Sequence, residues 1–390
     1  MVTGRNFVQQ DHSRKQLSDV IVVGGGVIGL SIAYELAGQG VQVSVFDQGA
    51  MGQEASWAGA GMLPPARRYP GAPADVQLRA ASHELWPIWS AGLREETGLD
   101  NGFRKCGGIE LAQDESAAVR LSAAMQTWRD AGVAVEQLTR ERAAELEPAL
   151  APEFCEAYSV PEFCQVRNPR HLKVLIAACH KRGVKLFPGV PVFGWESSGE
   201  KLLAVQTVTG RFEAGQFVVA SGAWSGVLLS GLGCHPALEP VRGQIVLLST
   251  KPGLIERVIE VEKRYLVPRG DGRLLIGSTE ERVGFLKQNT SEGVADLINF
   301  ARQLVPALGQ ATIERFWAGL RPGSADGLPF LGPVPGYDNA FVATGHFREG
   351  LHLAPATAML LGQLMLKRDV TLPLEAFRCN RGRPTAGDVF

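Results

Sequence analysis

The sharpest change of hydrophobic and polar pattern lies at residues 19–47, DVIVVGGGVIGLSIAYELAGQGVQVSVFD. A short apolar run at 20–23 reads as a buried strand and three glycines as a turn. A helix follows to about Gln39, and 41–46 reads as a second strand ending at Asp47. Further along, 76–98 has helical spacing that puts Leu78, Leu85, Trp86, Trp89 and Leu93 on one face, as core positions. A strand at 107–112 and helices at 116–131 and 138–146 come next; Thr139 starts the last of these and Pro148 ends it. The βαβ pattern returns with a strand at 158–166, a helix at 168–182 whose first turn holds Pro169, and a strand at 184–187. Residues 203–207 and 210–213 read as a hairpin, and 216–220 (QFVVA) as a separate strand of the kind buried in a parallel sheet.

From Leu238 onward the pattern is of longer strands, at 241–249, 257–261, 264–268 and 273–277, with Asp271-Gly272 as a hairpin turn between the last two. A helix at 291–305 stops at Pro306, a strand at 311–320 runs up to GLRPG, and a strand at 340–344 and an apolar helix at 351–367 finish the pattern. The alternation predicts an α/β protein in which an antiparallel α+β domain interrupts a Rossmann-like one. Both are then discontinuous: 18–88, 155–225 and 316–380 for the first, 89–154 and 226–315 for the second, with 1–17 a flexible tail.

Composition changes this picture little. In 390 residues, 45% hydrophobic and 20% charged, the formal net charge is −1, which points away from nucleic acid and toward a small ligand. Six cysteines without CxxC or zinc-like spacing read as reduced thiols of a cytoplasmic protein, and no metal site is expected. The first 18 residues lack the apolar core of a signal peptide, and no run long and apolar enough for a membrane span is present.

The candidate chemistry starts at the glycine turn. In GGGVIG the first glycine permits a tight turn, the third brings backbone N–H groups close to a pyrophosphate, and the sixth lets helix and strand pack closely. Asp47 is placed to accept hydrogen bonds from a ribose. This predicts a dinucleotide but leaves FAD and NAD(P) open. Small residues at 51–65 (MGQEASWAGAGMLPP) would let the backbone approach a large flat group.

VGGGVIG, GAMG…AGAGML, VVASGAWS, YLVPR…GRLLIGST, FWAGLRPGSADGLPFLG and GHFREGLHLAPATA occur in this order between Asp19 and about Phe377. Together they resemble the D-amino-acid oxidase family of flavoproteins, and within it the branch that oxidises glycine in bacterial thiamine synthesis. The resemblance implies a FAD-binding domain of glutathione-reductase type, noncovalent FAD, a small amino-acid substrate and O2 as acceptor; a homo-oligomer is expected as well. It places Gly24, Gly26, Val27, Ile28 and Gly29 at the pyrophosphate, and Asp47 and Gln48 at the ribose. Ala55, Ser56, Ala60, Gly61 and Met62 then lie near the ring system, and Val192 at the adenine. His346, Phe347, Arg348, Glu349, Gly350, Leu351 and His352 form the flavin-contacting stretch. Arg321 becomes the carboxylate-binding residue, a role suited to a planar guanidinium; Tyr265 adds a second hydrogen bond, and Arg348 stands beside both substrate and flavin. No protein acid or base is expected, since the resemblance implies direct hydride transfer from the α-carbon.

Lys263 and Glu280 are expected beside the substrate pocket, where a charge would alter what fits. Ser324 stands where sarcosine-oxidase relatives carry the cysteine that tethers flavin. The implied reaction is oxidation of glycine, sarcosine and small D-amino acids to the α-keto acid, ammonia and hydrogen peroxide. The rivals are a D-amino-acid dehydrogenase passing electrons to a quinone or carrier, and an NAD(P)-binding protein without flavin.

Overall fold

A computed structural model describes residues 18–381 of the chain; the expected tail at 1–17 lies outside them. Two eight-stranded sheets organise the molecule. In the first, Ser18–Val23 is central. It pairs in parallel with Val43–Phe46 on one side and with Gly210–Val219 on the other; Lys185–Phe187 and Ala340–Thr344 extend the parallel part. Successive side chains of a strand face opposite ways, and the core follows this rule. Val20 and Val22 pack into the cluster that includes the helices Val27–Gly38, Asn168–Lys181 and Gly350–Met365. Ile21 and Val23 pack on the other side, against Leu202, Val205, Phe217 and Leu229. A parallel sheet covered on both faces explains the uninterrupted apolar run at 20–23.

The second sheet runs, in order, through Thr312–Ser324, Leu238–Ser249, Arg273–Gly277, Arg264–Pro268, Val258–Val261, Gly108–Ala112, Glu156–Val160 and Glu136–Gln137. All its pairs are antiparallel except Val258–Val261 with Gly108–Ala112. The helix Ser291–Leu304 covers it through Leu297, Phe300, Ala301 and Leu304. Glu156–Val160 and the end of Thr312–Ser324 belong here, although the sequence pattern puts 155–225 and 316–380 in the first unit. Ladder pairing with Gly108–Ala112 and Leu238–Ser249 decides where they lie.

Other departures have local causes. The strand expected at 158–166 is two strands, Glu156–Val160 and Cys164–Gln165, because Pro161 has no N–H to continue a ladder. The separate hairpin arm and apolar strand at 210–220 are one strand, Gly210–Val219, antiparallel at its start and parallel at its end. Val192–Ser198, with mixed exposure and no clean alternation, was not expected as a strand and forms the hairpin's outer arm. The strand expected to stop at residue 320 continues to Ser324, since Leu238–Ser249 pairs with it through Arg321↔Val241 and beyond. No helix among the described residues is long and apolar enough to cross a membrane.

Candidate active site

A cavity of about 460 Å³ lies between the two sheets. The residues expected to contact flavin and substrate line it, except Gly29; Lys263 and Glu280, expected beside the substrate pocket, are not among its lining residues. Gly29 stands behind the turn: a Cβ there would lie 1.9 Å from the carbonyl oxygen of Gly24, so only glycine lets the helix start this close to the strand. Gly24 itself has φ +114°, and a Cβ would meet the backbone of Ala220 at 2.3 Å.

At this end the cavity is walled mainly by backbone. The helix Val27–Gly38 starts at Gly26 with no side-chain cap and no acid in its first turn. Ser56 Oγ accepts from Val27 N at 2.9 Å. Asp47 accepts from Gly25 N at 2.7 Å and from Gly49 N at 2.8 Å, while burial pushes its carboxyl above the ordinary value. Across the cavity, the helix Gly350–Met365 also starts without a side-chain cap or a first-turn acid. Uncapped helix starts carry N–H donors and partial positive charge, which favour anionic or electron-rich groups.

The far end is built from side chains on the antiparallel sheet. Tyr158, Glu110, Glu260, Tyr265, Gly277, Ile245 and Trp317 are register partners in seven successive strands. Register partners share a sheet face, and Trp317, Gly319 and Arg321 alternate along one strand, so Arg321 projects on the same side as Tyr265. Arg321 Nη2 donates to Ser278 Oγ at 2.7 Å and Nη1 to Thr279 O at 3.1 Å; among the described residues it has no ion pair. Burial draws its pKa down from the ordinary value, with Tyr265 and Glu280 opposing the shift. A Cβ on Gly243 would come within 2.1 Å of this guanidinium, and one on Gly277 within 2.5 Å of the Tyr265 ring. These glycines were not singled out from the sequence; in strands of an antiparallel sheet, an isolated glycine facing the cavity is the sign that a side chain lies across it.

Arg348 donates to Lys263 O at 2.8 Å and lies 3.6 Å from Glu280, which also pairs with Lys263 at 3.3 Å. The charges at Lys263 and Glu280 thus answer one another. His346 bonds Thr357 Oγ1 at 3.1 Å, and burial pushes its imidazole down to about 3. Burial also drives His352 well below the ordinary value, so both imidazoles are neutral and weakly basic. Ser324 does not line the cavity.

The carboxyls of Glu110 and Glu260, half-buried on adjacent strands, escaped the sequence reading. Desolvation and their mutual repulsion raise the Glu110 carboxyl well above its ordinary value. Desolvation raises Glu260 to about 7, with Arg348 opposing it. A lone acid within the apolar runs GIELA and VIEV was the available clue.

The residues present fit a FAD molecule by one structural test. Both ring nitrogens of His352 and Oδ1 of Asn168 are buried without a hydrogen-bond partner, and both residues line the cavity. Buried polar groups are normally satisfied, and a long polar ligand lying between the two helix starts would do so.

Residues 19–364 match the family described as DAO, FAD dependent oxidoreductase. A glycine oxidase of Pseudomonas aeruginosa is 38% identical over 351 residues, covering 90% of this chain and 95% of that protein. A bifunctional protein ThiO/ThiG of Synechocystis is 36% identical over 93% of this chain and 54% of its own length. The crystal structure of glycine oxidase from Geobacillus kaustophilus superposes with a TM-score of 0.90 at 35% identity, covering 94% of this chain and 99% of that one.

Proposed function

The chain belongs to the D-amino-acid oxidase family of FAD-dependent oxidoreductases, and from that premise we propose how its cavity works on glycine. The protein is an FAD-dependent amino-acid oxidase: glycine, O2 and water become glyoxylate, ammonia and hydrogen peroxide. Bound FAD supplies the hydride acceptor and, on reoxidation by O2, the peroxide. Gly24, Gly26 and the start of Val27–Gly38 would hold its pyrophosphate, Asp47 and Gln48 its ribose, and Val192 its adenine. The segments Ala55–Ala58 and 60–62, with 346–352, would lie at the ring, with no covalent tether.

Arg321 takes the glycine carboxylate bidentately, and the Tyr265 hydroxyl gives it a second hydrogen bond. The observation that carries this reading is one cavity joining a backbone-lined anion end to a buried guanidinium without an ion pair among the described residues. Arg348, linked to Glu280, closes the substrate end near the flavin stretch. Neutral His346 and His352 leave proton transfer to the substrate amine and solvent, so orientation supplies most of the acceleration. Sarcosine and small D-amino acids fit the same carboxylate anchor. Likeness to half of a ThiO/ThiG protein supports a role in the thiamine pathway; the cytoplasmic setting and the homo-oligomer belong to the same proposal.

The test is peroxide release by the FAD-loaded protein with glycine, sarcosine, D-alanine and D-proline. Glycine turnover with one peroxide per glyoxylate is expected. Anaerobic reduction by glycine that air does not reverse within the turnover time would make the protein a dehydrogenase.

A further inference from the structure

Of the six cysteines, four direct their sulfur to a backbone carbonyl: Cys106 to Phe163, Cys155 to Gln113, Cys164 to Glu162 and Cys179 to Leu30. The remaining two face each other. Cys234 follows the helix Ser225–Ser230, Cys379 follows the turn Glu375–Phe377, and their sulfurs are 2.6 Å apart. Each is only 6% exposed and packs with Leu229, Leu232 and Phe330 behind the parallel sheet. Both line a cavity of about 240 Å³ that is separate from the FAD cavity. Arg381, two residues beyond Cys379, is fixed by bonds to Asp326 at 2.6 and 2.8 Å and lies over the Phe330 ring. Arg381 holds the Cys379 end and the bond from Cys234 N to Leu229 O at 3.0 Å holds the other, and a shift of about half an ångström brings the sulfurs to bonding distance.

We propose that Cys234 and Cys379 form a modification site at which hydrogen peroxide makes a disulfide, stapling the chain after Phe377 to the loop after Ser225–Ser230. The oxidant rests on the proposed oxidase reaction, which makes peroxide in the same molecule. The contact with the Cys379 sulfur lowers the Cys234 pKa, so Cys234 is the better nucleophile. Its thiolate attacks one peroxide oxygen, the O–O bond breaks, and hydroxide leaves and takes up the Cys234 proton as water, giving a sulfenic acid. The Cys379 sulfur then attacks the Cys234 sulfur, the S–O bond breaks, and a second water leaves with the Cys379 proton. Two thiols are oxidised and one peroxide is reduced to two waters. Hydrogen peroxide is small enough to enter the cavity of about 240 Å³ that both thiols line.

The experiment treats the FAD-loaded, thiol-reduced protein with graded hydrogen peroxide, alkylates it in denaturant and maps the peptides. Two of the six thiols are expected to resist alkylation, with the Cys234 and Cys379 peptides joined until dithiothreitol is added. The oxidised form should melt at higher temperature. Cys234→Ser and Cys379→Ser should each abolish the crosslink and the shift while keeping flavin and turnover. Recovery of both cysteines alkylated, or sulfinic acid on Cys234 beside a free Cys379, overturns the proposal. A second arm replaces added peroxide with glycine and O2, with and without catalase. A crosslink from added peroxide but none from glycine leaves the thiol site standing and counts against the oxidase reading instead.

Discussion

The two ends of the cavity are made of different material. At the glycine turn the wall is backbone: N–H groups at an uncapped helix start, with Gly24 and Gly29 set where any Cβ would strike another carbonyl. At the Arg321 end the wall is side chains, brought together by the register of strands far apart in sequence. A backbone site tolerates almost no substitution at a few positions and is indifferent to most others. A side-chain site is graded, because each residue contributes its own hydrogen bond or charge.

Gly29→Val should break the backbone end outright. With a Cβ driven to within 1.9 Å of Gly24 O, the variant is expected to emerge from gel filtration without FAD, seen as loss of the flavin visible band with the far-ultraviolet circular dichroism retained. Stoichiometric flavin would show that close packing behind the turn is dispensable. Arg321→Ala should leave flavin in place and raise the KM for glycine over a hundredfold, on the order of 3 kcal/mol for a lost bidentate pair. Flavin loss in that variant would erase the division between the two ends.

Glu260→Gln gives the smallest effect and tests the charge stored at the side-chain end. The Glu260 carboxyl is raised to about 7 by burial, so the folded protein keeps a proton that the unfolded chain gives up near the ordinary carboxylate value. Stability therefore falls as pH rises between about 4.5 and 7 and stays lower above that window. The variant should melt with the wild type at pH 4 and at a higher temperature than the wild type at pH 8. Equal melting curves at both pH values would mean that the pair carries no such cost.

The same division explains what could be read from the sequence. Gly24, Gly26, Gly29 and Asp47 are legible because a strand, a turn and a helix within thirty residues define the site locally. Arg321 and Tyr265 were reached only through family motifs, since nothing local says that strands at 264–268 and 312–324 share a face. Gly243, Gly277, Glu110 and Glu260 were missed for that reason: their meaning depends on what stands across the ladder. The strand Thr312–Ser324 ran past its Pro-Gly signal because pairing outweighed local turn preference.

The packing of Gly350–Met365 against Val27–Gly38 also sets a schedule for folding. The glycine turn is among the first parts to be synthesised, yet its sheet is completed only by the strand Ala340–Thr344 and its second helix start only by Gly350. At ordinary rates of synthesis that interval is on the order of tens of seconds. During it, Ser18–Val23 has only its local partner Val43–Phe46 until Gly210–Val219 arrives. Contacts so distant in sequence close slowly. The glycine-turn end of the cavity is thus translated first and completed last, so a nascent chain stalled before residue 340 exposes an apolar strand edge that a finished one hides.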